Sequence, residues 1–445
     1  MAGMPNDHLR RLFAESGWTL SQWARAVNLV GSENGTPLRY NASAAHHWLG
    51  GTTPRDRVRG FVVEALSRRL QRPVTHAEAG FGRCSAPSAP VPDAVEGLVE
   101  LGRGDMDPSR RGVLGAGLFS VALTIPGWPD VVGRAEALQS GKTTRIGPHD
   151  VDMVVAMTER VSDLDDEFGG RYARPMAAAF LVNTVAPALH ADGSEAVKNA
   201  MRSAASDLCY LTGYMAVDEG LHGLAQGYYV KALELAGAAD DHLTYCTTLR
   251  GMSVQAVDLG HGRTAARLAD SAAAASPAAG PRMRAFLAGQ QAHAAAQTGD
   301  RVGALRYMSE AEAAMDRAES RGKAFGSYDP ASLHYHVSQV RYELGDVAGA
   351  VEAMLESDRT RHNVYRRSRV HRRGLLAERQ LQVGHLEAAC HTWGLALDDY
   401  PLVQSGRADD RMSRMAGMLR PHAKNAVARE LLDRARAVMP GRLYG

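Results

Sequence analysis

Five times in the second half of the chain a glycine is followed, five residues on, by an alanine: Gly220/Ala225, Gly260/Ala265, Gly299/Ala304, Gly345/Ala350 and Gly384/Ala389. The glycines are 40, 39, 46 and 39 residues apart, in the segments "EGLHGLA", "LGHGRTA", "TGDRVGA", "LGDVAGA" and "VGHLEAA". Each segment follows one helical pattern of apolar residues and precedes another. Glycine in this place closes a helix in the left-handed conformation, and alanine lets the next helix cross closely. A single helix pair cannot bury its apolar face alone, so pairs recurring at this period are expected to stack into an α-solenoid. Further helices are expected at about 148–190 before the pairs and about 407–438 after them.

Composition supports an all-α chain. The 445 residues are 45% hydrophobic and 22% charged, and the 45 glycines follow no collagen-like period. The net charge of +2 gives no overall attraction to nucleic acid or membrane, so any basic surface must be local. It is concentrated at one end. Residues 1–83 hold eleven arginines and no lysine against six acids, a balance of +5 that leaves −3 for the remainder.

Helix punctuation is dense in this basic end. Asn6 is placed to cap a first helix that Gly17 stops, and Thr19 with Gln22 forms a capping box for a second helix carrying Trp23, Ala24 and Val27. Asn41 caps a short third helix to Leu49, Pro54 marks the approach to a fourth, and "THAE" from Thr75 starts a fifth. On the third helix Ala45 and Trp48 are expected in the core. Ala42, Ser43, Ala44, His46 and His47 are expected on its outward part, where small residues allow close approach to base edges. Thr52, Thr53 and Arg55 just after it are candidates for phosphate contacts, with Gln22, Arg39 and Asn41 beside them.

The stretch "TLSQWARAVN…YNASAAHHWLGGTTPR" resembles the helix-turn-helix of xenobiotic-response-element (Cro/repressor-like) bacterial transcriptional regulators. It departs from that pattern in "LVGSENGTPLRY", about a dozen residues where the standard motif has a tight turn. The resemblance extends to "DLDDEFGGRYARPMAAAFLVNTVAPAL", "GYMAVDEGLHGLAQGYYVKALELA" and the closing "SGRADDRMSRMAGMLRPHAKNAVARELLDRAR", which are similar to the tetratricopeptide-repeat sensor half of such proteins. The glycine-to-alanine offset matches that repeat, although the period exceeds its ideal 34 residues. The expected fold is thus an amino-terminal five-helix helix-turn-helix domain (1–83), a linker (84–147) and a tetratricopeptide-like α-solenoid (148–445).

The linker is rich in Pro, Gly and Ser, with room for one weak turn of helix before "SRRGVLGAGLF" at 109–119. Two arginines before an apolar run look like an export signal, but such signals act near a free amino terminus. The apolar run, Val113 to Trp128, is shorter than the ~20 residues needed to span a bilayer. A buried helix at about 109–128, coupling the two domains, is expected instead. The opening residues "MAGMPNDHLRRLF" lack an export h-region. Cys84, Cys209, Cys246 and Cys390 stand far apart, as isolated reduced thiols do, so the cytoplasm is the expected compartment.

Candidate ligand contacts in the solenoid groove are Tyr210, Tyr214, Gln290, His293, His336, Gln339 and Arg366. The arginine-dense run from Arg359 to Gln380 reads first as a solvated helix face and second as a ligand clamp. "DLDDEFGG" lacks the alternating oxygen ligands of a calcium loop and reads as a glycine-capped helix end carrying Asp165 and Asp166. The chain shows no nucleophile elbow, zinc-protease motif or phosphate loop, so neither an enzyme nor a cofactor or metal site is expected. The expected activity is transcriptional regulation: double-stranded DNA bound by a dimer, with occupancy set by a peptide, small signal molecule or protein in the groove. A scaffold that binds proteins but not DNA is the alternative.

Overall fold

A computed structural model of the chain describes residues 6–33, 36–70, 74–76, 78–81, 94–106, 145–275, 279–318, 328–360 and 365–439. The described residues are helical, mostly α with short π and 3-10 segments, apart from turns, loops and an isolated bridge between Arg145 and Asp192. No described helix is long and apolar enough to cross a membrane. The segment at 109–128 lies outside the described residues. Two compact units divide the chain: Met1–Val154 with Ala178–Asp240, and Val155–Ala177 with Asp241–Gly445.

The first unit opens with four helices, α1 (Asp7–Ser16), α2 (Leu20–Glu33), α3 (Ala42–Leu49) and α4 (Asp56–Leu70). The sequence-predicted caps form. Asn6 accepts from the Leu9 amide, Thr19 and Gln22 close their box in both directions, and Asn41 accepts from the Ala44 amide. Gly17 ends α1 at φ 63°, a conformation that costs a side-chain-bearing residue about 1–2 kcal/mol. The expected fifth helix is a turn: Thr75 Oγ1 accepts from the Glu78 amide, but the chain turns away at Gly80 with φ 71°. Asn6 lies against that glycine, 2.5 Å from where a Cβ would stand, and its amide donates to the Ala79 carbonyl.

Much of the long α2–α3 connection is helix, since α2 runs on through Leu29, Val30 and Gly31 to Glu33. The returning chain is clamped to it: Asn28 accepts from the Tyr40 amide and donates to the Tyr40 carbonyl, both at 2.8 Å. Gly31 makes this crossing possible, because a Cβ there would stand 2.5 Å from Leu38 and 2.8 Å from the Thr36 carbonyl. Phe13, Trp23, Trp48 and Tyr40 then form a chain of ring contacts, with centroids 5.0–5.6 Å apart, through the centre of the domain.

The same unit contains α5 (Ala94–Met106), where only a weak turn was expected. It packs on the hairpin of α9 (Glu195–Asp218) and α10 (His222–Ala238), and on the π-helical turn Leu181–Val185 between α7 (Gly170–Phe180) and α8 (Ala186–Leu189). Two glycines set the closeness of this contact. A Cβ on Gly102 would meet Val182 at 2.5 Å, and one on Gly227 would meet Leu101 at 2.9 Å. The Tyr228 hydroxyl donates to buried Asp105 at 2.9 Å. Gly102, one of the glycines that make this segment read as linker, is thus also a residue that lets the helix dock.

The second unit is built from hairpins: α11 (His242–Asp258) with α12 (Gly262–Ala274), α13 (Pro281–Gln297) with α14 (Arg301–Asp316), α15 (Pro330–Glu343) with α16 (Val347–Thr360), α17 (Arg366–Gln382) with α18 (Leu386–Asp399), and α19 (Gly406–Leu419) with α20 (Ala426–Val438). First helices pack on first helices, α13 on α11 and α15, and α19 on α17, as a helical solenoid requires. The repeat glycines 220, 260, 299, 345 and 384 have φ between 75° and 88°, and alanines 225, 265, 304, 350 and 389 are fully buried. A second small position, seven residues before each glycine, was not recognised in the sequence: Gly213, Ser253, Ala292, Ser338 and Ala377. Ser253 and Ser338 there donate to the carbonyls of the crossing Ala265 and Ala350.

Residues 155–168 of α6 (Pro148–Phe168) and 170–177 of α7 also belong to this unit. Gly169, at φ 94°, ends α6 as expected for "DLDDEFGG", and its α-carbon faces the Gln404 backbone. The acids before it meet the arginine run: Arg367 pairs with Asp165 at 3.0 Å and Asp166 at 3.2 Å, and Arg366 pairs with Glu167 at 3.2 Å. Arg369 and Arg373 share Asp399, and Arg373 also reaches Asp358. The run is therefore mostly an internal ion-pair network rather than a solvated face.

Candidate functional site

Two groups of polar residues are set out by these elements, one in each unit. The first surrounds α3. Ser43, His46 and His47 lie three and four residues apart and are exposed together on one face, opposite buried Ala45 and Trp48. Arg39 and Asn41 before the helix, and Thr52, Thr53 and Arg55 after it, are also exposed. Ala42 and Ala44 are half-buried, and Ala44 packs on the core, so the outward placement expected for Ala44 is corrected. The side-chain oxygens of Asn41 and Gln22 are engaged in the helix caps.

The arginines around this face divide by role. Arg10 and Arg69 donate to the carbonyls of Leu49 and Ser16, the last residues of α3 and α1. Arg59 and Arg68 are matched by Asp56 and Glu64. Arg39 and Arg55 have no ion-pair partner among the described residues and bracket α3. Uncompensated cations on either side of an exposed polar helix are the arrangement that backbone phosphates require.

Residues 9–82 match the family model described as the SP15 N-terminal domain. The match begins within α1, takes in α2, α3 and α4, and ends just after the turn at Gly80. No curated protein matches the chain.

The second group lies in the second unit, on the first helices of consecutive hairpins. It contains Gln290, His293, His336 and Gln339, together with Arg372 and Arg379 from the arginine-dense run and two residues that sequence reasoning passed over, Arg250 and Tyr328. Arg250 on α11 lies over the Phe286 ring at 4.1 Å and directs a guanidinium nitrogen at His336 Nε2, 3.4 Å away. The guanidinium can only donate, so Nε2 accepts and the proton sits on Nδ1, which faces the Tyr328 hydroxyl at 2.8 Å. Gly289 leaves room for this pair, since a Cβ there would stand 2.4 Å from the tyrosine oxygen and 2.5 Å from Nδ1. Beside Gly289 in the chain, Gln290 donates to Ser253 at 3.0 Å.

Arg379 on α17 is 3% exposed, lies over the Tyr342 ring at 4.4 Å, and donates to Ser338 at 2.5 Å and to Gln339. Seven residues earlier on the same helix, Arg372 lies over Tyr335 at 4.5 Å and donates to Ser357. Arg411 pairs with Glu378 at 2.9 Å, and Arg407 faces Asp258 at 3.6 Å. Burial and these arginines keep the histidines neutral. His293 is pushed down to about 3, by burial first and then by Arg379 and Arg250. His336 lies well below its ordinary range through burial and Arg250, and His371 through burial and Arg411. Burial raises Asp258, against the pull of Arg407.

The remaining groove candidates lie elsewhere. Tyr210 and Tyr214 are on α9 in the first unit, where Tyr210 stacks on Tyr229 at 5.9 Å between centroids. Arg366 is occupied by Glu167. Among the described residues no group of acids, histidines and cysteines could hold a metal ion, and buried Cys209, Cys246 and Cys390 form no disulfide.

Proposed function

We propose that this chain is a cytoplasmic DNA-binding transcriptional regulator, with α3 as the recognition helix and a tetratricopeptide-like array as its sensor. The observation that carries the reading is the exposed Ser43, His46 and His47 face bracketed by Arg39 and Arg55. Two of these readers, joined in a homodimer, would meet half-sites one helical turn apart, which one small domain cannot specify alone. A peptide, small signal molecule or protein held by the array would favour one conformation of the dimer and so change its occupancy of the operator.

Sequencing of DNA fragments that co-purify with the intact protein tests this reading. The expected result is an enriched site with two-fold symmetry, and retention that weakens steeply with salt. Failure of the full chain to bind duplex DNA at low salt sinks the reading, as does binding unchanged by Arg39→Ala together with Arg55→Ala.

A further inference from the structure

The second unit holds more interior positive charge than its own acids balance. Arg250, Arg372, Arg379, Arg407 and Arg411 converge on the first helices of its hairpins, and Asp258 and Glu378 are paired with Arg407 and Arg411. Neither Arg250 nor Arg379 has a carboxylate within ion-pair distance among the described residues. Arg379, at 3% exposure, is almost wholly removed from water without a countercharge, and Arg250 is half-buried in the same state, so both are costly to desolvate. Three buried polar atoms stand in the same place without a partner: two on uncharged side chains, Gln290 Oε1 and His293 Nε2, and the Nε–H of the Arg250 guanidinium. Arg250 over Phe286 and Arg379 over Tyr342 are held flat by the rings beneath them, which leaves guanidinium edges for planar, two-point contact with an oxyanion.

We propose that this cluster, built on Gln290, His293 and His336 with Arg250 and Arg379 beside them, binds a small organic anion through its carboxylate or phosphate groups. The ligand supplies the missing countercharge, Arg250 and Arg379 hold its oxygens, and Gln290 and His293 read uncharged polar groups beside them. Tyr328 and Gly289 are positioning residues, because they fix the ring of His336 and through it the direction of Arg250. This assignment rests on reading the array as the sensor half, and it names the chemistry of what is sensed.

The test is calorimetry and thermal melting of the full chain with pyrophosphate and, separately, citrate, at constant ionic strength with chloride as the control. The expected result is saturable binding near one equivalent per chain at or below about 1 mM, with a rise in melting temperature. The stronger of the two probes identifies phosphate or carboxylate as the recognised group. Arg250→Lys is expected to weaken binding about tenfold, because a point charge replaces a fork, and Arg250→Gln to abolish it. Arg306→Gln, on an exposed helix face, leaves it unchanged. Arg250 is half-buried rather than central to the packing, and the wild-type titration needs no variant to fold. Absence of saturable binding by both probes overturns the assignment, as does equal affinity in Arg250→Gln and wild type. DNA retention measured on the same samples separates the readings: anion binding without DNA retention removes only the regulator, and DNA retention without anion binding removes only this site.

Discussion

The four-helix region and the hairpin array use arginine in opposite ways. Around α3 the guanidiniums lie at the edge of a small aromatic core, where they cap helix ends or reach into water. In the array they are drawn inside, laid on Phe286, Tyr335 and Tyr342, and tied to serines, glutamine and carboxylates. A charge at an edge costs little to hold and remains available to an approaching polyanion. A charge in the interior is costly to hold and needs a partner of its own. Under the proposed function, the first arrangement suits a surface that meets a long polyanion and the second a site that takes up a short one.

The sharpest way to break this comparison is to remove the aromatic centre of the first region. Trp23→Ala is expected to cost about 3–5 kcal/mol, since Trp23 is fully buried among Phe13 and Trp48. Loss of DNA retention without loss of the array's own melting transition, followed by calorimetry, would show that the two regions fold on separate cores. A smaller effect, about 1–3 kcal/mol, is expected for Gly31→Val, which forces Leu38 and the Thr36 carbonyl away from α2. Denaturant unfolding measures it, and an unchanged midpoint would mean that the returning chain is not held where the structure places it.

Acid probes the interior of the array. His293 and His336 are held below the ordinary histidine range, so the unfolded chain takes up protons near pH 6.5 that the folded unit refuses. Stability is therefore present above pH 6.5 and falls as pH drops below it, by up to about 1.4 kcal/mol per pH unit for each such histidine. Asp258 and Glu343, both raised, act in the opposite sense as they protonate and reduce the net loss. Melting temperatures from pH 7.5 to about 5.5 should fall, and the slope should flatten in His293→Asn. Gly384→Ala, in a left-handed turn with open space around it, is expected to cost only about 1–2 kcal/mol. The finest discrimination is the salt dependence of DNA retention. Each of Arg39→Ala and Arg55→Ala should lower the slope of log affinity against log salt by about one unit, whereas Arg250→Gln should not alter it.

Local signals were legible in the sequence and distant ones were not. Asn6, Thr19, Gln22 and Asn41 act on amides within three residues of themselves, and the five turn glycines act on their own backbone, so each could be read in place. The arginine run could not, because the carboxylates that meet Arg366 and Arg367 lie some two hundred residues earlier in the chain. Helix α5 was obscured for a related reason: its own glycines lower helix propensity locally, and Gly102 repays this only once Val182 is packed against it. Of the groove candidates, Gln290, His293, His336 and Gln339 do converge. Their arginine neighbours looked like surface charge, since a sequence gives no sign of which rings will lie beneath them.

The pairing of Arg366 and Arg367 with Glu167, Asp165 and Asp166 also bears on how the chain is made. Repeat arrays ordinarily grow by nearest-neighbour addition, so each hairpin can settle on the one before it as translation proceeds. Here residues 155–177 leave the ribosome long before α17 and α19, and their carboxylates and the Gly169 backbone wait for Arg367 and Gln404. Closure of the second unit is thus a late, high-contact-order event. A nascent chain arrested before Arg366 should carry an open unit, protease-sensitive at 155–177, that becomes resistant only when synthesis passes α19.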